Sequence, residues 1–123
     1  MAAPRAPLIY NRMVVDAPEI DKVFHALADA TRRDIFCRCG DGELSISQLA
    51  KDYPMSFAAV QKHVAVMERA GLVTKERRGR EQLVRSDLRA ISDAREALDG
   101  LEAIWRGRID RMVGLLAGDT EPG

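Results

Sequence analysis

Between Ser56 and Arg85 the chain concentrates side chains suited to holding a polyanion and reading its edges. Gln61 carries an amide that can pair with adenine, and the Ala58 methyl can meet a thymine methyl at close approach. Lys62 and Arg69 suit phosphates, which set register and carry little sequence information. Ser56 and the unpaired N–H groups beside it can hold a further phosphate. Arg78 and Arg80 flank Gly79 in a short basic tip able to follow a minor groove or the adjacent backbone. Phe57 and His63 lie beside these residues, and each has two readings. Phe57 either touches DNA or packs on a preceding short helix. His63 either touches DNA or is hydrogen-bonded at a helix–helix junction.

These residues need a frame. Ser56 is a helix N-cap, the helix runs to about Ala70, and Gly71 stops it. At about 100° per residue, Val60, Val64 and Met67 share the side that must face a core, while Ala58, Gln61, Lys62, Ala65 and Arg69 share the opposite one. Leu72–Arg77 and Glu81–Arg85 are strand candidates around the Arg78-Gly79-Arg80 tip. A capped helix followed at once by a charged hairpin is the order of a winged helix-turn-helix.

The rest of the chain supplies the support. Asp16-Ala17-Pro18-Glu19 has the chemistry of a helix start, followed by Ile20, Val23, Phe24 and Leu27 at helical spacing. Asp29-Ala30-Thr31 can cap a second helix through about Cys39, with Ile35 and Phe36 inward and Gly40-Asp41-Gly42 ending it. Leu44-Ser45-Ile46 reads as a short strand, and Ser47 as the cap of a short helix, Gln48–Asp52, that buries Leu49. Tyr53-Pro54-Met55 is a turn. Beyond Ser86-Asp87 a wide apolar stripe (Ile91, Ala94, Leu98, Leu101, Trp105, Met112, Leu115) predicts one long helix. The expected fold is mainly α with a small β-hairpin and five or six helices. The expected division is a tail at 1–15, one domain at 16–117 and a fraying end at 118–123.

At 123 residues, 46% hydrophobic and 31% charged, the composition is that of a single globular domain. The formal net charge is zero, yet residues 56–85 hold seven basic residues against three acidic, a net of +4, and residues 86–123 a net of −3. A polyanion feels the local patch within a Debye length of about 8–10 Å. No apolar run suits a secretory signal or a membrane span, so the expected compartment is the cytoplasm and no membrane partner is expected. Cys37 and Cys39 give no disulfide framework.

VFHALADATRRDIF, SISQLAKDYPMSFAAVQKHVAVMERAGLV and the charged hairpin resemble the ArsR-type winged-helix transcriptional regulators over about residues 17–112. The most specific parts are Ala28-Asp29-Ala30-Thr31-Arg32-Arg33 and Ala59-Val60-Gln61-Lys62-His63-Val64. The resemblance implies a homodimer on operator double-stranded DNA, usually a repressor, with the 56–71 helix in the major groove and the first and last helices forming the dimer interface. Ile20, Val23, Leu98, Leu101, Trp105, Ile109, Met112 and Leu116 are the expected interface residues. The long stripe supports this independently, since so wide an apolar face is unsuited to a monomer.

Many members sense metals, but the matching stretch here, Glu43-Leu44-Ser45-Ile46-Ser47, has serines where a Glu-Leu-Cys-Val-Cys site has thiolates. Neutral hydroxyls are poor ligands for the metals that thiolates hold. The second type of site needs histidines in the last helix, and the two histidines are His25 and His63. No metal or cofactor is expected. Cys37 and Cys39, two residues apart on a helix, point to nearly opposite sides; ordinary cysteines are the first reading and a redox or metal role the second. No Gly-rich phosphate loop, Gly-x-Ser-x-Gly or His-Glu-x-x-His occurs, so the chain is not expected to be an enzyme. The alternative function is a protein-interaction module on a winged helix that no longer binds DNA. Nothing in the residues names an effector.

Overall fold

The computed structural model describes residues 18–117. The expected tails at 1–15 and 118–123, and the Asp16 cap, lie outside the described residues. Five helices and one antiparallel sheet are present there: α1 Pro18–Leu27, α2 Ala30–Asp41, β1 Leu44–Ser45, α3 Ile46–Lys51, α4 Phe57–Arg69, β2 Val73–Arg78, β3 Glu81–Ser86 and α5 Arg89–Ala117. The mainly helical fold with a small hairpin and a long last helix is therefore as expected.

The chain divides into two compact units. One is Pro18–Ala94, which holds α1 to α4, the sheet and the start of α5; the described part of the other is Arg95–Ala117.

Within the first unit, local chemistry sets most boundaries. Asp29 caps α2: its Oδ2 accepts from the Arg32 backbone N–H at 3.0 Å. That bond holds the Asp29 carboxyl below its ordinary pKa. The helix runs through Gly40 and Asp41 and is left at Gly42 in extended backbone. One expected cap is corrected. Ser45, not Ser47, caps α3, which spans Ile46–Lys51. Gln48 lies three residues after Ser45, so the two close a reciprocal pair: Gln48 N donates to Ser45 Oγ at 3.0 Å and Ser45 N to Gln48 Oε1 at 2.8 Å. Ser45 does this while buried in β1, and Ser47 is exposed.

The Tyr53 hydroxyl donates to Asp34, while Arg38 lies 5.5 Å over the Tyr53 ring and reaches Asp52 at 2.6 Å. This ties α2 to the turn ahead of α4. The sheet order is β1-β3-β2, with Leu44 level with Val84 and Val73 level with Ser86. Ile35, Leu49, Val60, Val64, Met67, Leu72 and Val84 fill an almost wholly aliphatic core. Each such side chain, fully buried, contributes about 1.5–3 kcal/mol.

Candidate nucleic-acid interface

α4 is fixed at both ends. Ser56 Oγ accepts from Ala59 N at 3.0 Å, leaving the hydroxyl hydrogen to donate outward. At the other end Gly71 N donates to Glu68 O at 3.0 Å and Leu72 N to Met67 O at 2.9 Å, with Gly71 at φ 79°. This is a complete Schellman closure, and the buried Met67 and Leu72 supply its apolar contact. The chain passes directly from it into β2.

Between those ends the predicted division of faces is present. Val60, Val64 and Met67 are fully buried, Ser56, Ala58, Gln61, Lys62 and Arg69 are exposed, and Ala65 is half-buried. Phe57 is 47% exposed, so about half of it is open at the start of α4. His63 takes the junction role. Its Nδ1 meets Arg32 Nη1 at 3.1 Å, and the ring is mostly covered. Asp29 Oδ2 lies 3.9 Å from the same nitrogen, too far to compete with the hydrogen bond.

Arg32 was not foreseen as a structural hub. Its Nε donates to Ala26 O at 2.8 Å and its Nη2 to His25 O at 3.2 Å, while Arg33 donates to Leu27 O at 2.8 Å. Two consecutive arginines of α2 thus satisfy the last carbonyls of α1. The Ala28–Arg33 run caps one helix at its start, another at its end, and holds α4 through His63.

The hairpin is tighter than expected. Arg78 pairs with Glu81, leaving a two-residue turn of Gly79 and Arg80, with Gly79 at φ 66°. Arg80 stands exposed at that turn. Arg78 is exposed but engaged: Glu43 and Glu76 each accept from it at 3.0 Å, and those bonds raise its pKa. Arg85 reaches Glu43 at 3.1 Å and Lys75 reaches Glu68 at 3.4 Å. Lys62, Arg69, Arg77 and Arg80 make no ion pair among the described residues. Arg77 and Glu43 are not among the expected site residues; Arg77 counts only toward the basic patch, and Glu43 stands just before β1.

Among the expected interface residues, Leu98, Leu101, Trp105, Ile109, Met112 and Leu116 of α5 are all exposed, Trp105 at 60% and Met112 at 62%. Ile20 of α1 is partly buried. Val23 of α1 is 3% exposed and packs in the core of its own unit.

Cys39 is buried, and burial pushes its thiol up to about 11; Cys37 is exposed. The two sulfurs thus point apart, as their spacing requires. Among the described residues no three His, Cys, Asp or Glu gather as a metal cluster, and no helix is long and apolar enough to cross a membrane.

A displayed helix, its shorter partner helix and a basic two-stranded wing define a winged helix-turn-helix module. A helix-turn-helix domain model matches residues 27–76. The chain is 37% identical over 79 residues to the HTH-type transcriptional regulator Rv2034 of Mycobacterium tuberculosis, covering 64% of this chain and 74% of that protein. An ArsR-like transcriptional regulator from Rhodococcus sp. RHA1 superposes with a TM-score of 0.78 at 30% identity, over 85% of this chain and 96% of that one. The fold also matches a winged helix-turn-helix DNA-binding domain from Mycobacterium bovis, described as homodimeric, with a TM-score of 0.56 at 23% identity, over 89% of this chain and 91% of that one. The chain belongs to the ArsR-type winged helix-turn-helix transcriptional regulators, a DNA-binding family.

Proposed function

We propose that the protein is a homodimeric repressor that binds operator DNA with α4 in the major groove and the β2–β3 wing on the adjacent backbone. The observation that carries this reading is the division of α4: three residues are fully buried while Ala58, Gln61, Lys62 and Arg69 stay open. Ala58 and Gln61 are the base readers, with Phe57 packing beside them. Ser56, Lys62, Arg69, Arg77 and Arg80 hold phosphates. His63 positions the helix.

The exposed apolar face of α5 supports self-association, since a patch of this extent is unsuited to a monomer. The homodimeric state of the M. bovis protein supports it too. A two-fold pair would present two α4 helices to half-sites about 34–36 Å apart. Such a dimer acts by occupying DNA and not by catalysis, and represses where its operator overlaps a promoter.

Three measurements test the reading. A gel shift with the chain's own promoter region, against competitor DNA at physiological salt, is expected to show preferential binding. Sedimentation at micromolar concentration is expected to give a dimer. A reporter on that promoter is expected to rise when the protein is removed. No binding even at low ionic strength, or a persistent monomer, would overturn the reading; a falling reporter would make the protein an activator.

A further inference from the structure

The wing carries an anion of its own. Glu43 is the last residue before β1, and the register that sets Leu44 level with Val84 brings Glu43 level with Arg85. One carboxylate oxygen accepts from Arg85 Nη2 at 3.1 Å and the other from Arg78 Nη1 at 3.0 Å. Arg78 turns its second terminal nitrogen to Glu76 at 3.0 Å. The bridging carboxylate is the covered partner: the Glu43 side chain is 25% exposed, against 55% for Arg78 and 66% for Arg85. The fold thus fixes an anion beneath two cations that remain accessible. Two of the wing's arginines are thereby occupied, and Arg77 and Arg80 are not.

We propose that Glu43 is a specificity-determining residue: its carboxylate stands in for a DNA phosphate in the free protein and gives up Arg78 and Arg85 only to a backbone held in register by α4. This rests on DNA binding through α4 and the wing. A guanidinium grips phosphate with the same forked geometry it uses for carboxylate, so one anion can replace the other. Ion pairs this exposed contribute little net, so the exchange is open to a phosphate that is already well placed. On arbitrary DNA no base contact places it, and the exchange brings no advantage. Glu43 therefore withholds two phosphate contacts from non-cognate DNA and lends them to the operator.

The test is Glu43→Gln, which keeps the shape and removes the charge. Binding to the promoter fragment and to unrelated duplex is titrated from 50 to 200 mM salt. Each guanidinium recruited by unrelated DNA is expected to steepen its log–log salt slope by about 0.9. Across that range this is a change of roughly three- to fourfold per contact. Affinity for unrelated duplex rises at 50 mM and the promoter-to-unrelated ratio falls. In an Arg78→Ala/Arg85→Ala background the Glu43→Gln change is expected to add nothing.

An unchanged slope and ratio with native melting would overturn the proposal. So would an equal effect in the double-alanine background, which would make it a general charge effect. A weaker grip on the promoter alone would make Glu43 a mere support of the wing. If Glu43→Gln fails to fold, Arg78→Ala/Arg85→Ala with Glu43 intact is expected to flatten the salt slope on the promoter and to leave that on unrelated duplex unchanged; an equal flattening on both would overturn the proposal. Wild-type protein that ignores DNA would sink the underlying reading as well, whereas wild-type binding with an indifferent Glu43 sinks this one alone.

Discussion

Asp29, Arg32 and Arg33 show how much a six-residue run can do. Asp29 was legible as a cap because its type and place at a helix start suffice. The arginines were not, because their acceptors are carbonyls of a different helix, and sequence spacing does not say that α1 folds back within reach. The same gap hid Glu43, whose partners lie 35 and 42 residues away. Asp29→Ala removes the cap and is expected to lower unfolding free energy by about 1 kcal/mol in urea titrations. Because the Asp29 carboxyl is held below its ordinary pKa, its contribution is present above the usual carboxylate range and is lost as pH falls through the folded value. The wild-type and Asp29→Ala melting curves are accordingly expected to converge in acid; a constant gap would assign the loss to something other than the charged cap.

At the scale of the element, α4 was readable almost residue by residue. Ser56 and Gly71 announced its ends, and the three- and four-residue spacing of Val60, Val64 and Met67 announced its inner face. The α3 cap was misplaced because Ser45 and Ser47 both stand near a helix start. The deciding feature is Gln48, three residues after Ser45, which closes the reciprocal pair that Ser47 has no partner for. Gly71 is the element's most sensitive point, since it alone takes left-handed backbone between α4 and β2. A Cβ there would meet only Ala90, at 3.9 Å, so the cost is conformational and not steric crowding. Gly71→Ala is expected to cost about 1–2 kcal/mol of stability. It is also expected to weaken promoter binding beyond the folded fraction lost, because the exit angle of the wing changes. Native affinity in a destabilised variant would show that the wing is not aimed by this turn.

For the whole molecule, the long apolar stripe and the charge asymmetry were both visible in the residues. What each apolar position packs against was only partly so: the periodicity that marks Val23 for burial does not say against what, and it lies in the core of its own unit. The exposed row on α5 includes Leu101 and Trp105. Trp105→Glu with Leu101→Glu is expected to shift sedimentation at micromolar concentration from dimer to monomer. Far-ultraviolet circular dichroism should keep its helical shape, and promoter binding should fall at least tenfold. A dimer that survives both substitutions would place self-association elsewhere.

The contact between Arg32 and His63 has a consequence for how α4 is held. A guanidinium has hydrogens to give and no lone pair to lend. The imidazole nitrogen facing it must therefore be the bare one, which leaves the ring hydrogen on Nε2. The joint between α2 and α4 thus runs one way, the guanidinium giving and the ring receiving, and a side chain at position 63 that lacks an acceptor cannot take its place.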